Sequence, residues 1–152
     1  MDIEKKLKEL GITLPDAPRP LANYVPAVKS GSLLFLSGHG PYPDGKIPLK
    51  GKVGKDLTVE EGYAVARNIA VNCLASARRA LGDLGKIKRA VKVLGMVNCT
   101  EDFKDHPKVV NGASDLLVEI FGEAGRHARS AVGMQSLPMG IPLEIEMILE
   151  VE

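Results

Sequence analysis

The 152-residue sequence contains no tryptophan, and its aromatic side chains stop at three phenylalanines and three tyrosines. Proteins that hold single-stranded nucleic acid stack its bases on aromatic faces, so this scarcity argues against a dedicated binder of that kind. Neither sign of charge is in excess. Twenty Lys+Arg stand against nineteen Asp+Glu, a formal net charge of +1, which supplies no overall field for nucleic acid, an anionic membrane or an acidic partner. Cysteine is limited to Cys73, in a helical pattern, and Cys99, at a strand or its end, with no CxxC pair. Two isolated cysteines read as buried thiols in a reducing compartment. No run reaches the ~18 apolar residues of a membrane span, and the opening MDIEKKLKELGITLP has no apolar signal core, so the reading is cytoplasmic. His39, His106 and His127 share no ligand spacing with one another or with either cysteine, which predicts no metal site. Gly45 to Lys52 is not a Walker loop, because its glycine spacing is one residue too long and Val53 stands where Ser or Thr must hold magnesium. No GxSxG elbow occurs either.

What is present suffices for one substantial core: 45% of the residues are hydrophobic, and the length calls for a single domain over 1–152. The first 20 residues read as an N-terminal extension, a short helix closed by Gly11 and then a proline-broken lead-in. Residues 24–29 and 32–37 read as two strands around Gly31, the second almost wholly apolar and therefore central. Ser37-Gly38-His39-Gly40-Pro41 then makes a tight polar stop. Residues 42–57 form a loop whose length suggests a flap or edge segment. Thr58 and Glu61 compose a capping box for a helix over about 59–81, stopped by Gly82. A strand over 87–97 is apolar on both faces at Leu94 and Met96, and a helix over 109–121 follows, with Pro107 in its first turn.

The last stretch, GRHARSAVGMQSLPMGIPLEIEMILEVE, places charge where a sheet does not want it. Arg129, Ala131, Gly133 and Gln135 alternate with Ala128, Ser130, Val132 and Met134, so the arginine sits on one defined face of a strand. After the interruption at 137–142, Leu143, Ile145, Met147, Leu149 and Val151 form one face of a second strand. Glu144, Glu146, Ile148, Glu150 and Glu152 form the other. Spacing alone describes an amphipathic hairpin with Arg129 and the glutamates in solvent. The whole order, helix, two strands, long helix, strand, helix, two strands, describes an α+β fold with a sheet covered by helices on one face. Ala131, Gly133, Ile148, Leu94 or Met96, if they share the uncovered face, leave an apolar surface that calls for an oligomer.

Several separate motifs, ARSAV at 128–132 followed by LP and then PLEIEMI, Tyr24-Val25, Leu36-Ser37-Gly38 and Asn111, together resemble the RidA (YjgF) family of reactive-intermediate deaminases, over about residues 24–151. The spacing from Arg129 to Glu144 fits that family's arginine and glutamate without a gap. The resemblance implies a chorismate-mutase-like single domain, a mixed sheet with two main helices on one face, assembled as a homotrimer with active sites in the clefts between subunits. It implies hydrolysis of 2-imino acids, formed from enamines, to 2-oxo acids and ammonia, without metal or cofactor. Arg129 would hold the substrate carboxylate, and Glu144 would orient or activate the attacking water. Ser37, the Gly38 and Ala131 backbones, Tyr24 and Asn111 would line the pocket. Ala131 stands where many deaminase members have cysteine, and His39-Gly40 replaces the usual glutamine and apolar residue; the N-terminal helix, the longer lysine-rich loop and the Gly122 to His127 connection also mark a longer subgroup. A trimer that binds small carboxylates or keto acids without turnover is the alternative. A ribonuclease or translation inhibitor agrees least with the charge and the few aromatics.

Overall fold

The computed structural model describes residues 2–17, 19, 22–42 and 49–152. Helix α1 (Ile3–Glu9) opens the chain, and Asp2 caps it by accepting from the Lys5 amide. Strands β1 (Ala27–Ser30) and β2 (Leu33–His39) follow, then helix α2 (Val59–Leu81), strand β3 (Ile87–Asn98), helix α3 (His106–Phe121) and strands β4 (Ala128–Met134) and β5 (Leu143–Val151). Residues 43–48 of the expected flap lie outside the described part. From Gly51 to Leu57 the chain runs beside the sheet, where Val53 bridges Cys99.

The long helix begins and ends where its sequence dictates. Thr58 accepts from the Glu61 amide while the Glu61 carboxylate accepts from the Thr58 amide, and Gly82, at φ 77°, takes the left-handed conformation that stops the helix. α2 and α3 pack on each other and on one face of the sheet. Leu34 and Leu36 from β2, Ala90, Val93 and Val97 from β3, and Leu143, Ile145, Met147, Leu149 and Val151 from β5 point into that layer and are buried. Ile3 and Leu7 of α1, together with Leu14, join the same core, so the N-terminal extension is packed rather than pendant.

The sheet has five strands in the order β1-β2-β5-β3-β4. β5 pairs antiparallel with both β2 and β3, whereas β4 pairs parallel with β3. The expected hairpin of the last two strands therefore does not form: β3 lies between them. A parallel neighbour must be reached by a crossover, and α3 supplies it. The register decides which face each residue takes. Arg129 is opposite Val93, which is opposite Met147; Ala131, Gly95 and Ile145 form the next such row, and Gly133, Val97 and Leu143 the one after. All three rows point toward the helices. Ala131 and Gly133 are thus not part of the uncovered face, contrary to the alternation-based expectation. That face carries Leu94, Met96 and Ile148, joined by Val28, Phe35 and Val132, which are 52%, 41% and 38% exposed.

Gly112 on α3 packs tightly against the backbone of α2. A Cβ there would lie 2.0 Å from the Tyr63 carbonyl oxygen on α2, a contact that only helix separation relieves. Gly112→Ala is expected to lower the unfolding free energy by about 1–3 kcal/mol, the range for overpacking a tight core, measured by denaturant titration at fixed protein concentration. A parental midpoint would mean that the helices separate at little cost.

Candidate active site

Between Leu36 and His39 the pairing of β2 with β5 slips: Leu36 faces Met147 and His39 faces Ile145, so Ser37 and Gly38 together oppose Glu146. This is a β-bulge, and it reverses the alternation beyond it. His39 turns inward and is buried instead of following Phe35 to the open side. Its Nδ1 donates to the Ser37 carbonyl at 2.6 Å, which leaves Nε2 to accept from the Ser76 hydroxyl on α2 at 2.7 Å. Burial pushes its pKa down, and the neutral ring has both nitrogens engaged.

The bulge brings the Gly38 backbone against the Glu144 side chain. A Cβ at Gly38 would sit 2.9 Å from the Glu144 carboxyl carbon, so a larger residue displaces the carboxylate. Glu144 is half-buried; burial, with a smaller contribution from the charge of Glu146, raises its pKa. Around it lies a cavity of about 350 Å³, lined by Tyr24, Pro26, Ser37, Gly38, Pro41, Tyr42, Asn72, Pro138, Met139 and Ile141, with Arg19 and His39 completing the wall. The Ser37 hydroxyl donates to the Val25 carbonyl at 2.7 Å, and Asn72 Nδ2 donates to the Gly40 carbonyl at 2.7 Å. Both ties fix the wall. Tyr24 and Met139, 53% and 74% exposed, stand at the mouth.

Arg129 lies elsewhere. It projects from the edge strand β4 onto the helix side, where Nη1 donates to Asn111 Oδ1 at 2.8 Å and to Ser114 Oγ at 3.1 Å, while Nη2 reaches the Pro107 carbonyl at 3.5 Å. Among the described residues no group accepts from its Nε. Within one chain, then, the expected site residues fall into two groups: Tyr24, Ser37, Gly38 and Glu144 share the cavity, whereas Arg129, Asn111 and Ala131 lie together near α3 on the other side of the sheet. Glu144 belongs to the row Glu144–Met96–Val132 on the open face and Arg129 to a row on the covered face. The geometry also adds residues that sequence reading passed over. Asn72 and Ser76 are polar residues four apart on the otherwise apolar stripe of α2, a legible signal; Ser114 and His127, beside Arg129, left none.

The match to known proteins follows this architecture. A family model described as "YjgF/chorismate_mutase-like, putative endoribonuclease" matches residues 4–146. Protein TCP17 of Trypanosoma cruzi is 44% identical over 97% of this chain and 93% of its own. The crystal structure of Atu1372 from Agrobacterium tumefaciens, a protein of unknown function, is 48% identical and superposes with a TM-score of 0.90, covering 99% of this chain and 92% of that one. The chain belongs to the YjgF (RidA) family, with its chorismate-mutase-like α+β fold. A more distant relative, 27% identical over 93% of this chain and 95% of its own, is the 2-iminobutanoate/2-iminopropanoate deaminase of Dermatophagoides farinae.

The raised pKa of Glu144 has a consequence for stability. A carboxyl whose folded pKa lies above its unfolded value stabilises the fold while protonated, and that contribution is lost as pH rises through the folded pKa. Glu144→Gln is therefore expected to be more heat-stable than the parent near neutrality, with the difference shrinking as pH falls through the raised folded pKa and gone below about pH 4, where an unperturbed glutamate is also protonated. Melting curves across that range check it; a variant less stable at neutral pH would mean that the carboxylate is held by partners that favour its charge.

Proposed function

We propose that the protein hydrolyses small 2-imino acids, or the enamines that tautomerise to them, to 2-oxo acids and ammonia, in clefts completed between the subunits of a homotrimer. The observation that carries this reading is the carboxyl of Glu144, drawn against the Gly38 backbone in a partly enclosed cavity with its pKa raised. A base so placed is strengthened toward the proton of a water molecule. Water adds to the imine carbon: its oxygen forms the new C–O bond, Glu144 takes the proton, and the C=N electron pair moves to nitrogen. Glu144 returns that proton to the nitrogen, giving a carbinolamine; the hydroxyl proton of the carbinolamine then passes to the nitrogen by way of the same carboxylate, the C–N bond breaks as the C=O bond forms, and ammonia departs. Imine and water become keto acid and ammonia, so no oxidant or cofactor enters the balance.

A 2-imino acid also carries a carboxylate, and Arg129 is the residue suited to it. With both Nη1 protons engaged by Asn111 and Ser114 and one Nη2 proton directed to the Pro107 carbonyl, the Nε proton and the second Nη2 proton are left to form two parallel hydrogen bonds with a carboxylate. Since Arg129 and Glu144 occupy opposite faces of one sheet, the complete site needs the edge strand of a second copy beside the first copy's cavity. The apolar open face, with Val28, Phe35 and Val132 exposed, supports that closure. The family relationship to an imine deaminase supports the chemistry. Ribonuclease activity fits less well, since the chain has neither excess positive charge nor many stacking side chains.

Sedimentation is expected to give a species of three chains; a monomer at micromolar concentration would leave each site incomplete and sink the reading. Turnover is tested by ammonia release from freshly generated 2-iminobutanoate, corrected for spontaneous hydrolysis. Arg129→Lys, which keeps the charge and loses the fork, is expected to cost about 2–4 kcal/mol in kcat/KM, roughly thirty- to a thousand-fold. Glu144→Gln is expected to assemble normally and lose most turnover. Saturable 2-oxobutanoate binding with no acceleration of hydrolysis would instead make the protein a carboxylate-binding trimer.

A further inference from the structure

The guanidinium of Arg129 is one end of a chain of hydrogen bonds whose direction is fixed by chemistry. His127 Nδ1 lies 2.6 Å from the Gly125 carbonyl oxygen; a carbonyl only accepts, so Nδ1 carries the proton. In the neutral ring Nε2 is then an acceptor, and at 2.9 Å it takes the hydroxyl proton of Ser114. The Ser114 oxygen is left with its lone pairs toward Arg129 Nη1, 3.1 Å away. Asn111 Oδ1 takes the other Nη1 proton. We propose that Ser114 and His127 are positioning residues for Arg129: the chain from the Gly125 carbonyl through the imidazole and the serine hydroxyl fixes the guanidinium so that its Nε and Nη2 edge meets the substrate carboxylate. This rests on the carboxylate role proposed for Arg129.

The links come from α3, from β4 and from the segment that joins them. Ser114 and Asn111 are on α3, His127 is the residue before β4, Arg129 is on β4, and Gly125 ends the one-turn helix of Gly122–Gly125 that joins α3 to β4. Gly125 cannot be larger, because a Cβ there would lie 2.2 Å from the Leu117 carbonyl oxygen. The joining turn is thereby seated on α3 with its carbonyl toward the ring.

Few other charges act on the imidazole. Burial is the main influence holding its pKa down, and the Arg129 charge adds to it, partly offset by the bond to Gly125. In the joining segment Glu123 and Arg126 pair with each other at 3.2 Å, well exposed. Arg89 of β3 donates to the Arg126 carbonyl, and Lys92, opposite Ala128, is on the open face. On α3, Asp115 accepts from the Tyr63 hydroxyl of α2. A carboxylate bound at Arg129 offsets the guanidinium charge, so it raises the His127 pKa. On protonation Nε2 donates to the Ser114 oxygen instead, whose other lone pair still accepts from Arg129 Nη1, so the positioning survives and, by reciprocity, the anion binds more tightly as pH falls through that titration.

The test uses the full-length protein, with 2-oxobutanoate as the probe and imine hydrolysis as the assay. His127→Leu and Ser114→Ala are each expected to raise KM and the 2-oxobutanoate Kd by about three- to tenfold, the size of one hydrogen bond, with a smaller change in kcat. His127→Gln can still accept from Ser114 but cannot titrate. It should keep near-parental affinity and lose the pH dependence. NMR titration of His127 in the parent, which needs no variant, should show its midpoint rising on saturation with 2-oxobutanoate. An unmoved midpoint together with parental KM in His127→Leu and Ser114→Ala overturns the inference. If Arg129→Lys is impaired in the same assays, only the positioning role falls; if Arg129→Lys is parental too, the carboxylate role of Arg129 falls with it.

Discussion

The arrangement depends on one constraint of strand pairing: β4 lies parallel to β3, and β5 returns antiparallel on the other side of β3. The two strands that follow one another in the last part of the sequence are separated by a third, and the register carried across it assigns their side chains. Had β4 and β5 paired as a hairpin, Arg129 and Glu144 would have been placed by the short connection between them. With β3 between, Arg129 shares a row with Val93 and Met147 and goes to the helices, while Glu144 shares a row with Met96 and Val132 and goes to the open face. The crossover that parallel pairing requires is α3 itself, which brings Asn111 and Ser114 to the arginine.

Glu144 shows a second tension. The bulge in β2 brings Gly38 to the carboxylate, and the half-burial of Glu144 costs stability whenever the group is charged. The fold compensates nearby with buried apolar side chains and the closed polar pairing of His39 with Ser37 and Ser76. The energetic cost at the carboxylate is what makes it more basic than an exposed glutamate.

Much of the architecture was legible in the sequence because each signal was local. The capping box at Thr58–Glu61, the glycine stop at Gly82 and the alternation of β5 act within a few residues, and the observed elements follow them closely. Strand order was not legible, since alternation fixes a strand's two faces but not its neighbours; hence the expected hairpin, and Ala131 and Gly133 assigned to the wrong face. β2 extended through His39 because a bulge absorbs its Ser37-Gly38 pair without ending the strand. In the site, the motifs marked Arg129 and Glu144, but their placement on opposite faces is a property of the assembled sheet. Ser114 and His127 are brought together by the joining turn at Gly122–Gly125, a contact no periodicity encodes.

The bulge also governs how this chain can vary. Because Ser37 and Gly38 together oppose a single residue of β5, losing or gaining one residue there would exchange the inner and outer faces for everything up to the end of β2. His39 would turn out toward the open side, its bonds to Ser37 and Ser76 broken, and the inward strand position would pass to a neighbour. The strand end itself can therefore diversify by substitution but not by a change of length. Pocket chemistry at residues 39–41 can shift from one relative to another without disturbing the spacing of Ser37 and Gly38 from Glu144.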